Sequence, residues 1–123
     1  MARVVGLGGI FFKARDPAGL ARWYGDVLGV DVQDWGGAQL RNDGAGHPPY
    51  AVWCPFRQDT DYFAPSTGPF MINLAVDDMD GMIARVQGKG VEILGRADND
   101  PNGRFTWLLD PEGIKIELWE PKR

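Results

Sequence analysis

The sequence predicts an α+β fold of two βαβββ modules in tandem, forming a curved mixed sheet with a concave cleft. Three observations predict it. Two helix starts, Asp16-Pro17 and Asp77-Asp78, each follow an apolar strand-like run and precede an apolar stripe at helical spacing. An offset of about 62 residues carries Asp16 onto Asp78, Leu20 onto Met82 and Tyr24 onto Val86, so the pattern is internally repeated. The chain then closes on a hairpin, with residues 104–109 and 114–119 flanking Asp110-Pro111-Glu112-Gly113.

Each element has a local reason. Residues 4–15 are apolar and strand-like from Leu7 onward. Asp16 is placed to cap free helix amides, and Pro17 suits a first helical position. Leu20, Trp23, Tyr24, Val27 and Leu28 recur at three- and four-residue spacing, and Gly29 fits a left-handed stop. Three short strands are expected over residues 30–35, 38–41 and 50–56. Residues 57–69 carry Asp, Ser, Thr, Gly and Pro without periodicity and read as a linker. The second unit repeats the plan. A strand over 70–76 is followed by a helix with the stripe Met79, Met82, Ile83 and Val86, a stop at Gly90, a strand over 91–94 and a turn over 99–103. Asp-Pro-Glu-Gly fits a type I turn, and Ile114, Ile116 and Leu118 alternate with Lys115, Glu117 and Trp119, the mark of a half-buried strand. The organisation is one domain, residues 1–123, made of a module over 1–56, a linker over 57–69 and a module over 70–123.

The 123 residues, 44% hydrophobic and 24% charged, fit one soluble globular domain. A net charge of −4 with no basic run argues against nucleic-acid binding. No apolar run reaches the roughly 20 residues of a membrane span, and Met1-Ala2-Arg3 leads into a strand-like segment, so a cytoplasmic protein is expected, with no membrane partner. The single Cys54 excludes an internal disulfide and a thiolate-rich metal site, and a buried inert thiol is expected. His47, the only histidine, sits in the Gly/Pro loop Gly44-Ala45-Gly46-His47-Pro48-Pro49 and reads as solvated.

One helix per unit covers one sheet face. The other face is left concave and lined by Gly9, Phe11 and Lys13 with their counterparts Met71, Asn73 and Ala75. Glu117 shares that face by strand parity. Apolar edges left over from two such units suggest a homodimer.

The stretches Asp16-Pro17 to Trp23-Tyr24 with Val27-Leu28-Gly29, Val76-Asp77-Asp78, and Asp110-Pro111-Glu112-Gly113 with Glu117-Leu118 together resemble the vicinal oxygen chelate superfamily, the glyoxalase, bleomycin-resistance and extradiol-dioxygenase group. The likeness is nearest to small glyoxalase-like members. It implies the glyoxalase/bleomycin-resistance fold and, in metal-dependent members, His and Glu ligands from the first and last strands of each unit. Carried over by position, the two histidines fall on Gly9 and Met71, and only Glu117 matches. The resemblance therefore implies a small organic ligand bound in the cleft with no metal and no cofactor. Its alternative is an enzyme of the lyase, isomerase or dioxygenase type, using Glu117 as acid or base or in an unconventional divalent-metal site. Glu117 is then the one candidate catalytic residue. The candidate ligand-binding residues are Phe11, Lys13, Trp53, Asn73, Arg104, Trp107 and Trp119: three Trp as stacking platforms, Asn73 as a neutral hydrogen-bonder, and Arg104 as a clamp for an anionic group or a solvated side chain. Lys13 and Lys115 are the cations placed to pair with Glu117.

Overall fold

The computed structural model describes residues 2–44 and 46–122; Met1, Ala45 and Arg123 lie outside the described residues. Its elements run α1 (Pro17–Leu28), β1 (Ile72–Ala75), α2 (Met79–Gly88), β2 (Gly95–Asp100), β3 (Gly103–Leu109) and β4 (Lys115–Pro121). The strands make one mixed sheet in the order β1-β4-β3-β2. β1 lies parallel to β4, and β4-β3 and β3-β2 are antiparallel. This is the α+β arrangement expected, and the second βαβββ unit is complete.

The alternation in β4 decides the layering. Ile116 and Leu118 point to the helices and join Leu108, Val76, Met79, Ile83, Val86, Val27 and Leu28 in the buried core. Burying such a side chain stabilises by about 1.5–3 kcal/mol, so both helices are held chiefly by this face. Glu117 and Trp119 take the opposite face, as parity requires.

Both helices open in the same way. Asp16 Oδ1 accepts from the Gly19 amide at 3.0 Å, and Asp78 Oδ1 accepts from the Gly81 amide at 3.1 Å. A Cβ on Gly19 or Gly81 would lie 2.3 or 2.4 Å from the capping carboxylate, so the internal repeat preserves a glycine that lets the cap close. Glu120 adds a second acceptor to the start of α2, taking the Met79 amide at 2.8 Å. At the far end of α1, Gly29 adopts φ +75°, and the Arg85 guanidinium donates to the carbonyls of Val27, Asp26 and Gly25.

The closing turn is clamped to the first helix. Asp110 Oδ1 accepts the amides of Glu112 and Ile114, which shapes the turn, while Oδ2 accepts the Tyr24 hydroxyl at 2.7 Å. Burial and the adjacent Asp110 carboxylate push the Tyr24 phenol well above its usual range. Glu112 accepts the backbone amides of Arg15 and Asp16 and the Arg15 side chain. These bonds hold its carboxyl below the usual carboxylate range.

The first module differs from the second. The strands expected over residues 7–15, 30–35, 38–41 and 50–56 join no ladder, residues 33–37 close a turn through the Gly36 and Gln33 amides, and the apolar side chains of Val4, Val5, Leu7, Ile10, Phe11 and Val52 stand exposed. A strand is defined by its partner, and within one chain these segments meet no free sheet edge. In the second module, residues 91–94 lead into the strand rather than forming it. Ladder pairing begins at Gly95, opposite Trp107. The turn expected over 99–103 narrows to Pro101-Asn102, because the Asp100 side chain accepts the Asn102 amide at 2.8 Å and Gly103 supplies φ +129°. Cys54, expected as a buried thiol, is exposed, because only the ends of its segment, Tyr50 and Phe56, pack on other rings.

Candidate functional site

Glu117 sits at the middle of β4 and is only 7% exposed. Register places Asn73 of β1 directly beside it on one side and Trp107 of β3 on the other. Both flanking side chains donate: Asn73 Nδ2 to Oε1 at 2.8 Å, and Trp107 Nε1 to Oε2 at 2.7 Å. A third donor comes from outside the sheet, where the Tyr62 hydroxyl in the linker meets Oε2 at 2.5 Å. The carboxylate is thus held by three neutral donors. Among the described residues no cation lies within ion-pair distance of it. Hydrogen bonds to a charged group are the strong kind, about 1.5–3 kcal/mol each, and here they offset the cost of burying the charge.

Lys115, two residues before Glu117 on the same face, makes no ion pair with it. Its ammonium donates to the Tyr62 carbonyl at 2.5 Å and lies 5.1 Å from the Tyr62 ring centroid and 5.9 Å from that of Trp107. Desolvation and the neighbouring Glu117 push the Tyr62 phenol up to about 12. Next to this group the rings of Trp107, Phe105 and Trp119 stand nearly parallel. Phe105 is 6.1 Å from Trp107 and 6.5 Å from Trp119, with interplanar angles of 9° and 10°. The Trp119 indole donates to the Asn102 carbonyl at 2.9 Å, which fixes its plane, and Tyr50 packs on its other side.

Of the residues singled out in the sequence, Glu117, Asn73, Trp107 and Trp119 come together. The other four lie apart. Phe11 and Trp53 are 93% and 80% exposed on extended segments of the first module, and Lys13 is exposed on the same N-terminal run. Arg104, at an even position of β3, points to the helix face, where it pairs with Asp80 at 2.7 Å and Asp98 at 3.0 Å. Those two carboxylates already engage the guanidinium, so it is not the anion clamp that its place near the hairpin suggests. His47 is exposed, with Nδ1 2.6 Å from the Pro48 carbonyl. Two participants were not singled out. Phe105 shares parity with Trp107 and hairpin register with Trp119, which is a readable signal. Tyr62 has only the weak signal of an aromatic pair, Tyr62-Phe63, inside a polar linker.

Asn73 and Trp107 present N–H groups, not lone pairs, to the Glu117 oxygens. Gly9 and Met71 supply no imidazole at the corresponding strand positions. No three His, Cys, Asp or Glu side chains converge among the described residues.

Residues 9–119 match the glyoxalase-like domain family. TnmS3, an antibiotic-binding protein from Streptomyces sp. CB03234, is 26% identical over 98% of each chain, with a TM-score of 0.54. TioX from Micromonospora sp. ML1 is 20% identical over 89% of this chain and 93% of its own, TM-score 0.52, a likeness of fold. A glyoxalase/bleomycin resistance protein from Streptomyces sp. CB03234 is 40% identical, but over only 39% of this chain and 41% of its own length, TM-score 0.36. No curated protein matches the chain. The fold and the match over nearly the whole length define a vicinal oxygen chelate protein. The chain belongs to the glyoxalase-like domain family. No helix among the described residues is long and apolar enough to cross a membrane.

Proposed function

We propose that this protein binds a small planar organic molecule against the Glu117 face, without a catalytic metal, as a cytoplasmic homodimer. The observation that carries the reading is the carboxylate held by three neutral donors beside a row of parallel aromatic rings. Parallel rings offer stacking faces, and the buried carboxylate offers one directional acceptor, the combination of apolar walls with few placed polar groups that small-molecule sites use. The full-length likeness to an antibiotic-binding protein supports a binding role. The homodimer is supported by the apolar side chains of the unpaired first-module segments, Val4, Val5, Leu7, Ile10, Phe11 and Val52, which stand exposed on one chain and would be covered by a second copy.

The test is a panel of planar aromatic compounds titrated into the protein with chelator present, read by Trp fluorescence and thermal shift, with sedimentation giving the mass. Quenching and stabilisation by at least one compound, in a dimer, are expected. A flat response across the panel, or a response that needs added Mn or Zn, would overturn the metal-free binding reading.

A further inference from the structure

The linker carries a phenol into the site. The Tyr62 hydroxyl takes one side of Glu117 Oε2, its ring meets Trp107 edge-on at 6.3 Å and 89°, Phe56 packs 5.4 Å away, and the Lys115 ammonium lies 5.1 Å from its centroid. These contacts differ in kind from those of Asn73 and Trp107, whose positions the sheet dictates. Tyr62 comes from a run of turns closed by short-range bonds, Thr60 to Arg57 and Ala64 to Asp61, and its side chain is 38% exposed. Its backbone is held independently of the ring, by Lys115 on its carbonyl and by the Thr60 side chain on its amide. The ring can therefore leave without the loop leaving.

We infer that the Glu117 subsite is built for a hydroxylated aromatic ring, and that Tyr62 is an internal stand-in which such a ligand displaces. This rests on the proposed binding function and names its ligand class. Three features select a neutral phenol over the alternatives. Glu117 Oε2 accepts an O–H, which a plain hydrocarbon ring lacks. The Lys115 ammonium beside the ring attracts an electron-rich π-face. The indole N–H of Trp107 already takes the second lone pair of the same oxygen, which leaves room for one donor only.

The experiment removes the ring and offers it back. Tyr62→Ala protein, with its fold checked by circular dichroism, is titrated with p-cresol and toluene while the indole ¹⁵N–H resonances are followed. p-Cresol is expected to bind about ten- to hundredfold more tightly than toluene, the ratio for a hydrogen bond to a charged acceptor. It should also shift the Trp107 resonance. Adding Glu117→Gln should shrink the preference over toluene. Wild type should bind p-cresol more weakly than Tyr62→Ala, because its own phenol competes. Equal affinity for p-cresol and toluene, or an unmoved Trp107 resonance, would overturn the inference. If Tyr62→Ala does not fold, Tyr62→Ser is read by the same criteria. A wild type that responds in the planar-compound panel while the Tyr62 variants show no p-cresol preference overturns the ligand class alone. A Tyr62 variant that prefers p-cresol beside a wild type inert to the whole panel keeps the phenol-shaped subsite and removes the function built on it.

Discussion

Replacing Glu117 by Gln and by Leu separates what the carboxylate does as an acceptor from what it does as a charge. In Glu117→Gln the amide oxygen can keep the bonds from Tyr62 and Trp107, and the amide nitrogen then faces Asn73. Asn73 is exposed on its other side, so its carboxamide can flip and present oxygen. All three bonds survive, each weakened from about 1.5–3 to about 0.5–1.5 kcal/mol. That loss, about 3 kcal/mol gross, is set against relief of burying an anion without a counter-charge, which is of similar size. The expected net change is within about 1 kcal/mol of wild type. Glu117→Leu offers no acceptor. Tyr62 and Asn73 can turn to water, but the half-buried Trp107 indole is left unpaired, at a cost of about 1–3 kcal/mol. Urea unfolding followed by circular dichroism gives both values, and Asn73→Leu should cost less in the Gln background than in wild type, because the bond it removes there is neutral and not charge-assisted. A Gln variant as unstable as the Leu variant would refute the reasoning: the charge itself would then be stabilising, and a cation would have to face it.

Gly81→Ala should destabilise by about 1–2 kcal/mol, the cost of a lost N-cap, instead of giving the usual helix gain; the new Cβ would meet the Asp78 carboxylate, and a raised melting temperature would contradict this. Thr106 is fully buried with no hydrogen-bond partner for its hydroxyl among the described residues, so Thr106→Val should be neutral or stabilising by about 1 kcal/mol in the same denaturation assay. The Glu112 carboxyl is depressed in the folded state. Its contribution is therefore present above its unfolded pKa, near about 4.3, and is lost as pH falls through the lower folded value. Stability measured from pH 6 to pH 2 should fall less steeply in Glu112→Gln than in wild type, and parallel curves would sink the assignment.

Periodicity made the second module and both helices readable, because burial follows side-chain spacing there. The alternation of β4 placed Glu117 and Trp119 on one face, and parity put Asn73 with Glu117; Trp107 joins them through the β3-β4 register. Position along a strand did not settle Arg104, since its parity faces the helices and only the three-dimensional approach of Asp80 and Asp98 reveals its partners. Phe11, Trp53 and Cys54 show the other limit. Their apolar runs read as strands, but pairing is a property of two edges, and these segments pair with neither free edge of the sheet, β1 or β2. Tyr62 escaped because a turn-rich linker has no period from which to read direction.

The clamp of the Asp110-Pro111-Glu112-Gly113 turn onto α1 has a consequence for the order of folding. Arg15 and Glu112 are 97 positions apart, and Tyr24 and Asp110 are 86 apart, so these bonds close almost the whole chain. Loop closure of that length must be met before the contact gives anything back, whereas the β3-β4 hairpin and the α2 cap are local. The join between the first helix and the last turn is thus expected to form after the rate-limiting barrier. In stopped-flow experiments Glu112→Gln should steepen neither arm of the chevron; it should raise the unfolding rate and leave the refolding rate nearly unchanged. Slower refolding would mean that the ends of the chain meet first. On the expected order, this contact acts as a latch: it sets how long the folded protein lasts, not how quickly it is made.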